Sequence, residues 1–197
     1  MSQAKHTRQT LLIKVREQYD EDAWQEFIEF YRPYIYRVVQ NLNQIKVTER
    51  EDIIQEVMLI AWKKLPEFEY NSQKGRFRSW LSTITQRTAN SHYHKTKKAN
   101  IFESDFESAE LQKGIDPEVE RIFQEQWERH VADTAWANIA DKFDEKVLLA
   151  FQKLASGEKG EKVAQELELS QGSVYVYKKR VMAALQKEIA YLDDELR

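Results

Sequence analysis

The chain has 197 residues, with 30 lysines and arginines, 33 aspartates and glutamates, no cysteine and a formal net charge of −3. That length allows one domain or two small ones, and 42% hydrophobic residues suffice to build cores of that size. The lack of cysteine excludes a disulfide framework, a thiolate nucleophile and a cysteine-based zinc site. Residues 1–10 lack the apolar core of a signal peptide, and no stretch has the length of a spanning helix, so we expect a cytoplasmic protein without membrane insertion.

The net charge conceals an uneven distribution along the chain. Residues 74–98 contain seven basic and no acidic side chains, whereas residues 101–145 contain four basic and 13 acidic ones. A purely cationic stretch beside a strongly anionic one excludes a uniformly charged protein. It indicates that one surface is suited to phosphate groups.

The apolar spacing predicts helices nearly throughout, so the predicted fold class is all-α. One helix is predicted around residues 9–18, and a second begins near residues 20–22. A capping box of Thr48 and Glu51 predicts a third helix, which Pro66 stops, and a fourth begins near Phe77 and carries the cationic stretch. These four predict a first small helical domain over residues 1–98. The apolar stripe of the second helix is Ala23, Phe27, Phe30, Tyr31, Tyr34, Ile35 and Val38.

A second small helical domain is predicted over residues 117–197. Residues 99–116 lack a sustained apolar period, which predicts a flexible acidic linker. Asp116 and Pro117 predict the start of an acidic helix that runs to about Lys142. Helices at about 145–156, 161–167 and 171–193 follow, the first closed by Gly157.

The pattern of residues 163–174 is typical of a helix-turn-helix, which we place at about 161–185. Ala164 is small where the two helices would cross, and Ser170 caps the second one. A recognition helix places its N-terminal end in the major groove of DNA. The alternative is an ordinary helical hairpin with a solvated basic run. The candidate DNA contacts are Gln171, Gly172, Ser173, Tyr175, Val176, Lys178 and Lys179.

The cationic stretch interleaves its charges with aromatic residues. Cations hold a phosphate backbone, and aromatic faces stack on unpaired bases, so this pattern indicates single-stranded or melted nucleic acid. Phe77 and Trp80 fit better as core residues, which leaves His92 and Tyr93 as stacking candidates. The alternative is that the cations merely solvate a helix.

Asp52 and Glu56 place two carboxylates on one side of the third helix, with Gln55 between them. A nuclease could hold a metal with such a pair, but no histidine at ligand spacing and no further acidic motif supports it. Docking to a basic partner fits better, and a plain solvated face is the alternative. Without a nucleophile and matched base or a phosphate-binding glycine loop, the sequence predicts neither an enzyme nor a cofactor.

Several groups of residues, in this order, resemble bacterial RNA polymerase sigma factors of the extracytoplasmic-function group of the sigma-70 family. They are Asp52–Val57; then Trp62, Leu65 and Phe68; then Phe77–Leu81; and last the helix-turn-helix with Val174–Val176, Arg180 and Val181. That group has two helical domains, called regions 2 and 4, joined by a variable linker. The resemblance implies a non-catalytic initiation factor that binds core polymerase, directs it to specific promoters and helps melt the minus-ten region.

The resemblance also implies which residues meet which partner. Asp52, Gln55 and Glu56 would dock on the clamp helices of the largest polymerase subunit, with the flap as a further contact, and the helix-turn-helix would read the minus-thirty-five element. Promoter DNA at the minus-ten element would contact Asn71, Lys74, Arg76, Arg78, Arg87, Asn90, Tyr93 and Lys95. An anti-sigma factor or a DNA-bound recruiting protein is a candidate further partner, and the expected location is the bacterial nucleoid.

The sequence departs from the family pattern at three positions. Arg87 and Ser91 stand where the promoter-reading helix commonly has Asn and Asp. Glu168 stands where the turn usually has Gly, and either it adopts a positive φ at a cost of about 1 kcal/mol or the turn differs. The recognition face of region 4 also has only modest positive charge, which Glu158, Glu161, Glu166 and Glu168 offset, so region 4 either binds DNA weakly or docks another protein. A helix-turn-helix regulator that acts without polymerase is the alternative function.

Overall fold

The computed structural model describes residues 8–16, 20–42, 45–68, 77–97 and 117–194. Within these ranges the chain forms eight α-helices and no strand, which confirms the predicted all-α class. None of the described helices has the length and apolar character to span a membrane. The helices are α1 Arg8–Arg16, α2 Glu21–Asn41, α3 Arg50–Lys64, α4 Phe77–Lys97, α5 Pro117–Ala140, α6 Glu145–Ala155, α7 Gly160–Glu166 and α8 Gln171–Asp194.

The internal contacts divide the chain into two compact units. The first contains the described residues up to His130, and the second is Val131–Asp194. The N-terminal half of α5, Pro117–His130, is thus grouped with the first unit, although the sequence placed all of residues 117–197 in the second domain. The predicted linker, residues 99–116, lies outside the described residues.

Helix α2 builds the core of the first unit with the predicted apolar stripe, every residue of which is buried. Asp20 fixes the start of this helix, since its carboxylate accepts a hydrogen bond from the Ala23 backbone N–H at 2.9 Å. The ring centroids of Phe27 and Tyr31 lie 5.9 and 5.3 Å from that of Phe77 at the start of α4. Helix α3 packs against both α2 and α4, so these three helices present their outer faces around one aromatic core.

The start of α3 differs from the prediction. Thr48 lies inside a 3-10 turn, Val47–Glu49, and no side-chain hydrogen bond caps α3 at Glu49. The Glu51 carboxylate instead accepts a hydrogen bond from the Arg32 guanidinium of α2. The predicted capping box is therefore wrong, because its acidic member is held by an ion pair between two helices.

The second unit forms two small apolar clusters. The first consists of buried Ile139, Val147, Phe151 and Val181. The second consists of Ala150, Val163, Ala164 and Val174, which join α6, α7 and α8. Ala164, predicted as the small residue where two helices cross, is buried in this second cluster.

The turn of the helix-turn-helix closes through the backbone. Glu168 has φ 51, in the left-handed region, and the N–H of Leu169 donates to the carbonyl of Ala164 at 2.8 Å. This geometry is a Schellman motif, in which the position occupied by Glu168 is usually glycine. The Ser170 hydroxyl then accepts a hydrogen bond from the Ser173 N–H at 3.0 Å, which confirms the predicted cap of α8.

Candidate functional site

The outer face of α3 carries the three predicted polymerase contacts. Asp52 and Gln55 are exposed, and Glu56 is half-buried. Residues at these spacings share one side of a helix, and Leu59, one turn further on, lies on the same side with 51% of its surface exposed. The docking face, defined as Asp52, Gln55, Glu56 and Leu59, thus combines acidic, amide and apolar groups. The sequence reading missed Leu59 because a leucine inside a helix is normally assigned to the core.

Glu56 is engaged with the neighbouring helix. Its Oε2 lies 2.6 Å from Nε2 of His92 in α4, and both side chains are part-exposed. The sequence predicted separate roles for these residues, polymerase docking for Glu56 and base stacking for His92. The structure brings them into one contact between α3 and α4.

The predicted minus-ten residues are only partly described. Asn71, Lys74 and Arg76, together with the side chain of Lys95, lie outside the described part of the structure. The described members lie along α4. Asn90 is exposed, and Arg78, Arg87 and Tyr93 are half-buried. Arg78 lies over the Trp127 ring at 5.5 Å, and Asn90 and Tyr93 both line a cavity beside the start of α5.

The aromatic residues at the start of α4 belong to the core. Phe77 is fully buried and Trp80 half-buried. The ring of Phe68 lies 5.4 Å from that of Phe77 and 5.0 Å from that of Trp80. The interpretation of this pair as packing residues, not stacking residues, is therefore correct.

The hydroxyl group of Tyr34 is buried between α2 and α4, and this burial changes its pKa. The Tyr34 hydroxyl oxygen lies 3.4 Å from the Ser82 hydroxyl, in a buried position. Burial raises the pKa of Tyr34 to about 12, although Ser82 and Arg78 lower it in part. Tyr34 therefore stays protonated and anchors α4 against α2, which fixes the helix that presents Arg87 and Asn90.

The predicted duplex-reading face lies on the first two turns of α8. Gln171, Gly172, Lys178 and Lys179 are exposed there, and Ser173 is half-buried where it meets Ser170. Two large side chains also point outward: Tyr175 with 57% and Val176 with 54% of their surfaces exposed. The helix-turn-helix thus presents the predicted residues together on one accessible face.

Four charged residues link α6, the turn after it and α7. Lys153 donates a hydrogen bond to Glu166 at 2.7 Å and pairs with Glu158 at 3.3 Å. Lys162 pairs with Glu158 at 3.0 Å and with Glu166 at 3.5 Å. The hydrogen bonds from these lysines lower the pKa of both carboxyls, and they raise the pKa of both ammonium groups. Glu158 and Glu166, two acids close to the helix-turn-helix, are therefore paired with lysines.

The described residues include no cluster of three or more histidine, aspartate or glutamate side chains that could hold a metal ion. Asp52 and Glu56 therefore have no third ligand among these residues. The described structure therefore presents an acidic and apolar docking face on α3, a cationic helix α4 beside it, and a separate helix-turn-helix formed by α7 and α8.

The comparison with known families concerns the segment that contains the docking face and α4. Residues 27–99 match the model of sigma-70 region 2. The matched segment includes the docking face on α3 and all of α4. The match therefore covers the two surfaces that the structure places side by side.

Comparisons of the whole chain are weaker. No curated protein matches it. Among solved structures, the chain is similar to that of CnrH in complex with the cytosolic domain of CnrY, at 18% sequence identity and a TM-score of 0.39. That match covers 92% of this chain and 96% of the other.

Proposed function

We propose that this protein is a sigma factor of the extracytoplasmic-function group, which binds core RNA polymerase, directs it to specific promoters and helps melt the minus-ten region. The region 2 match over residues 27–99 carries the proposal. Supporting it, an exposed acidic face and a helix with no acidic residue lie on adjacent helices of that one domain. In this proposal the protein is not an enzyme, and the polymerase performs the chemistry.

The docking face is the proposed contact with the clamp helices of the polymerase. Asp52 and Gln55 offer exposed hydrogen-bonding groups, and Leu59 offers apolar surface that a partner can cover. Interfaces commonly place an apolar anchor among polar groups in this way. Glu56 contributes through the carboxylate that His92 holds in place.

Helix α4 is the proposed contact with the melted minus-ten strand. Asn90 is exposed on this helix and Arg87 is half-buried, whereas Arg78 and Tyr93 lie toward α5. Cations track the phosphates, and an aromatic side chain can stack on an unpaired base. Asn71, Lys74, Arg76 and Lys95 remain part of this proposal.

The first turns of α8 are the proposed minus-thirty-five contact. The exposed set from Gln171 to Lys179 has the size and position expected of a recognition helix in a major groove. The polymerase flap, an anti-sigma factor and a DNA-bound recruiting protein are further proposed partners of the chain.

The test compares binding to core polymerase and promoter-specific transcription for two variants. Asp52→Arg reverses a charge on the docking face and should abolish both activities while leaving duplex binding intact. Asp141→Arg reverses an equally exposed charge in the second unit and should change neither. If Asp52→Arg were as active as the unmodified protein, a helix-turn-helix regulator that acts without polymerase would be favoured instead.

A further inference from the structure

The N-terminal half of α5 is held against region 2 by aromatic side chains. Trp127 and His130 are buried, and both meet rings of α2. The His130 ring lies 4.6 Å from that of Phe30, and the Trp127 ring lies 5.2 Å from that of Tyr34 in an edge-on arrangement. Contacts between aromatic rings stabilise a structure by more than the apolar area that they bury. This segment therefore packs against α2 in a specific position.

The same segment engages a residue proposed to bind DNA. The Arg78 guanidinium lies over the face of Trp127, 5.5 Å from the ring centroid. A cation over an indole face is attracted by the electrons of the ring. In this arrangement the Arg78 guanidinium is directed toward Trp127 of α5.

A cavity of about 220 Å³ lies where the start of α5 meets α4. Its wall includes Asn90 and Tyr93 of α4, both proposed promoter contacts, and Glu118 and Ile122 of α5. The carboxylate of Glu118 therefore stands beside the part of α4 at which nucleic acid would bring its phosphates. The remaining wall is formed by Asn41, Leu42, Ile45, Gln86, Ala89 and Val119.

We propose that Pro117–His130 is an intramolecular cover of the DNA-binding helix, and that single-stranded DNA must displace it to reach Arg78 and Tyr93. The inference rests on the proposed strand capture by α4. Because the covered form cannot bind DNA, the apparent affinity equals the affinity of the open form multiplied by the fraction of molecules in which the cover is open. The surface under the cover fits two occupants in turn, the acidic helix and the melted strand.

The first experiment measures binding of a fluorescent A/T-rich single strand to the full chain. Trp127→Ala removes one of the two aromatic contacts with α2 and the partner of Arg78, so the affinity should rise at least about fivefold. Glu128→Ala changes an exposed position of the same helix and should leave the affinity unchanged. Circular dichroism establishes whether Trp127→Ala is folded.

The second experiment does not depend on that variant. The chain has no cysteine, so Glu118→Cys provides a single site for a polarity-sensitive dye at the cavity wall. Addition of the single strand should shift the emission of this dye to the red as the cover leaves. A dye on Glu120→Cys, an exposed residue outside the cavity wall, should not respond.

The outcomes separate this inference from the function on which it rests. Unchanged dye emission at position 118, with the same DNA affinity in folded Trp127→Ala and unmodified protein, would overturn the cover alone. If no variant bound the single strand, strand capture and the cover would both be contradicted. If Trp127→Ala does not fold, the dye at position 118 decides the question.

Discussion

Glu56 and His92 join the proposed polymerase-docking helix to the proposed promoter helix, with Oε2 and Nε2 2.6 Å apart. The two side chains keep 34% and 23% of their surface exposed, so the pair contributes at most about 1 kcal/mol to stability. Its main effect is to hold the Glu56 carboxylate in one orientation on the docking face. His92 is therefore a positioning residue in the proposed mechanism.

We predict that His92→Ala lowers affinity for core polymerase by about threefold to tenfold, or about 0.6–1.4 kcal/mol. The carboxylate of Glu56 loses its orientation, while the fold loses less than about 1 kcal/mol. Binding titrations and urea unfolding measure the two effects. Ser91→Ala, at the neighbouring half-buried position, is the control. Unchanged polymerase affinity in His92→Ala would show that Glu56 needs no such support.

Leu59 gives the docking face its apolar anchor. Because 51% of its surface is exposed, Leu59→Ser should leave stability nearly unchanged. Affinity for core polymerase should fall by about 1–2 kcal/mol, the value expected for a leucine buried in an interface. Val47→Ser is the matched control, since Val47 is 73% exposed and lies outside the docking face. Equal losses of affinity in both variants would contradict the anchor role.

The sequence predicted the helices well, since the apolar period that defines them is local. The stripe of α2 and the Ser170 cap both depend on residues close in the chain. The failures involve distant partners. Glu51 completes a plausible capping box in sequence, but Arg32, 19 residues away, holds its carboxylate.

In the candidate site, too, the sequence predicted local groupings of residues and missed contacts between residues far apart in the chain. The docking residues share one helix face, so their spacing alone brought them together. No spacing rule pairs Glu56 with His92, which are 36 residues apart. The sequence placed the acidic helix α5 in the second domain, whereas the buried rings of Trp127 and His130 pack Pro117–His130 against α2.

Glu168→Gly should stabilise the second unit by about 1 kcal/mol. Glu168 has φ 51, and glycine adopts this left-handed conformation without the steric cost that a Cβ brings. The control is Gln165→Gly in α7, where glycine should destabilise by a similar amount because its backbone loses more freedom. Urea unfolding measures both changes. Loss of stability in Glu168→Gly would mean that the glutamate side chain supports the turn.

The charge network of Lys153, Glu158, Lys162 and Glu166 predicts that stability falls at both low and high pH. The pKa values of Glu158 and Glu166 are lowered, so their stabilisation is present above the ordinary 4.5 and is lost as pH falls through the folded values. The pKa values of Lys153 and Lys162 are raised, so their stabilisation is present below 10.5 and is lost as pH rises through the folded values.

Lys153→Met isolates this contribution. This substitution removes one of the two lysines that pair with both carboxyls, so the stability of the variant should fall less than that of the unmodified protein between neutral pH and the acidic limit. Thermal unfolding across the pH range measures the difference. Lys146→Met, an exposed lysine of the same helix, should follow the unmodified protein. Parallel curves for Lys153→Met and the unmodified protein would contradict a stabilising network.

Gly160 and Tyr175 couple the first helix of the helix-turn-helix to its proposed reading face. Gly160 is buried, and a Cβ there would lie 2.9 Å from the Tyr175 hydroxyl oxygen. The obstructing atom is the end of a side chain that can move, so we predict that Gly160→Ala keeps its stability but displaces the Tyr175 ring. Affinity for duplex promoter DNA should then fall by about 1 kcal/mol, within the range of a base contact.

A double-mutant cycle tests whether the effect passes through the tyrosine. In a Tyr175→Ala background the added Cβ meets no ring, so Gly160→Ala should no longer change DNA affinity. Gln165→Ala is the control, because it changes an exposed position of the same helix α7 that is not a proposed DNA contact. If Gly160→Ala lowered DNA affinity equally with and without Tyr175, the coupling would not run through this contact, and the loss would reflect a shift of α7 itself.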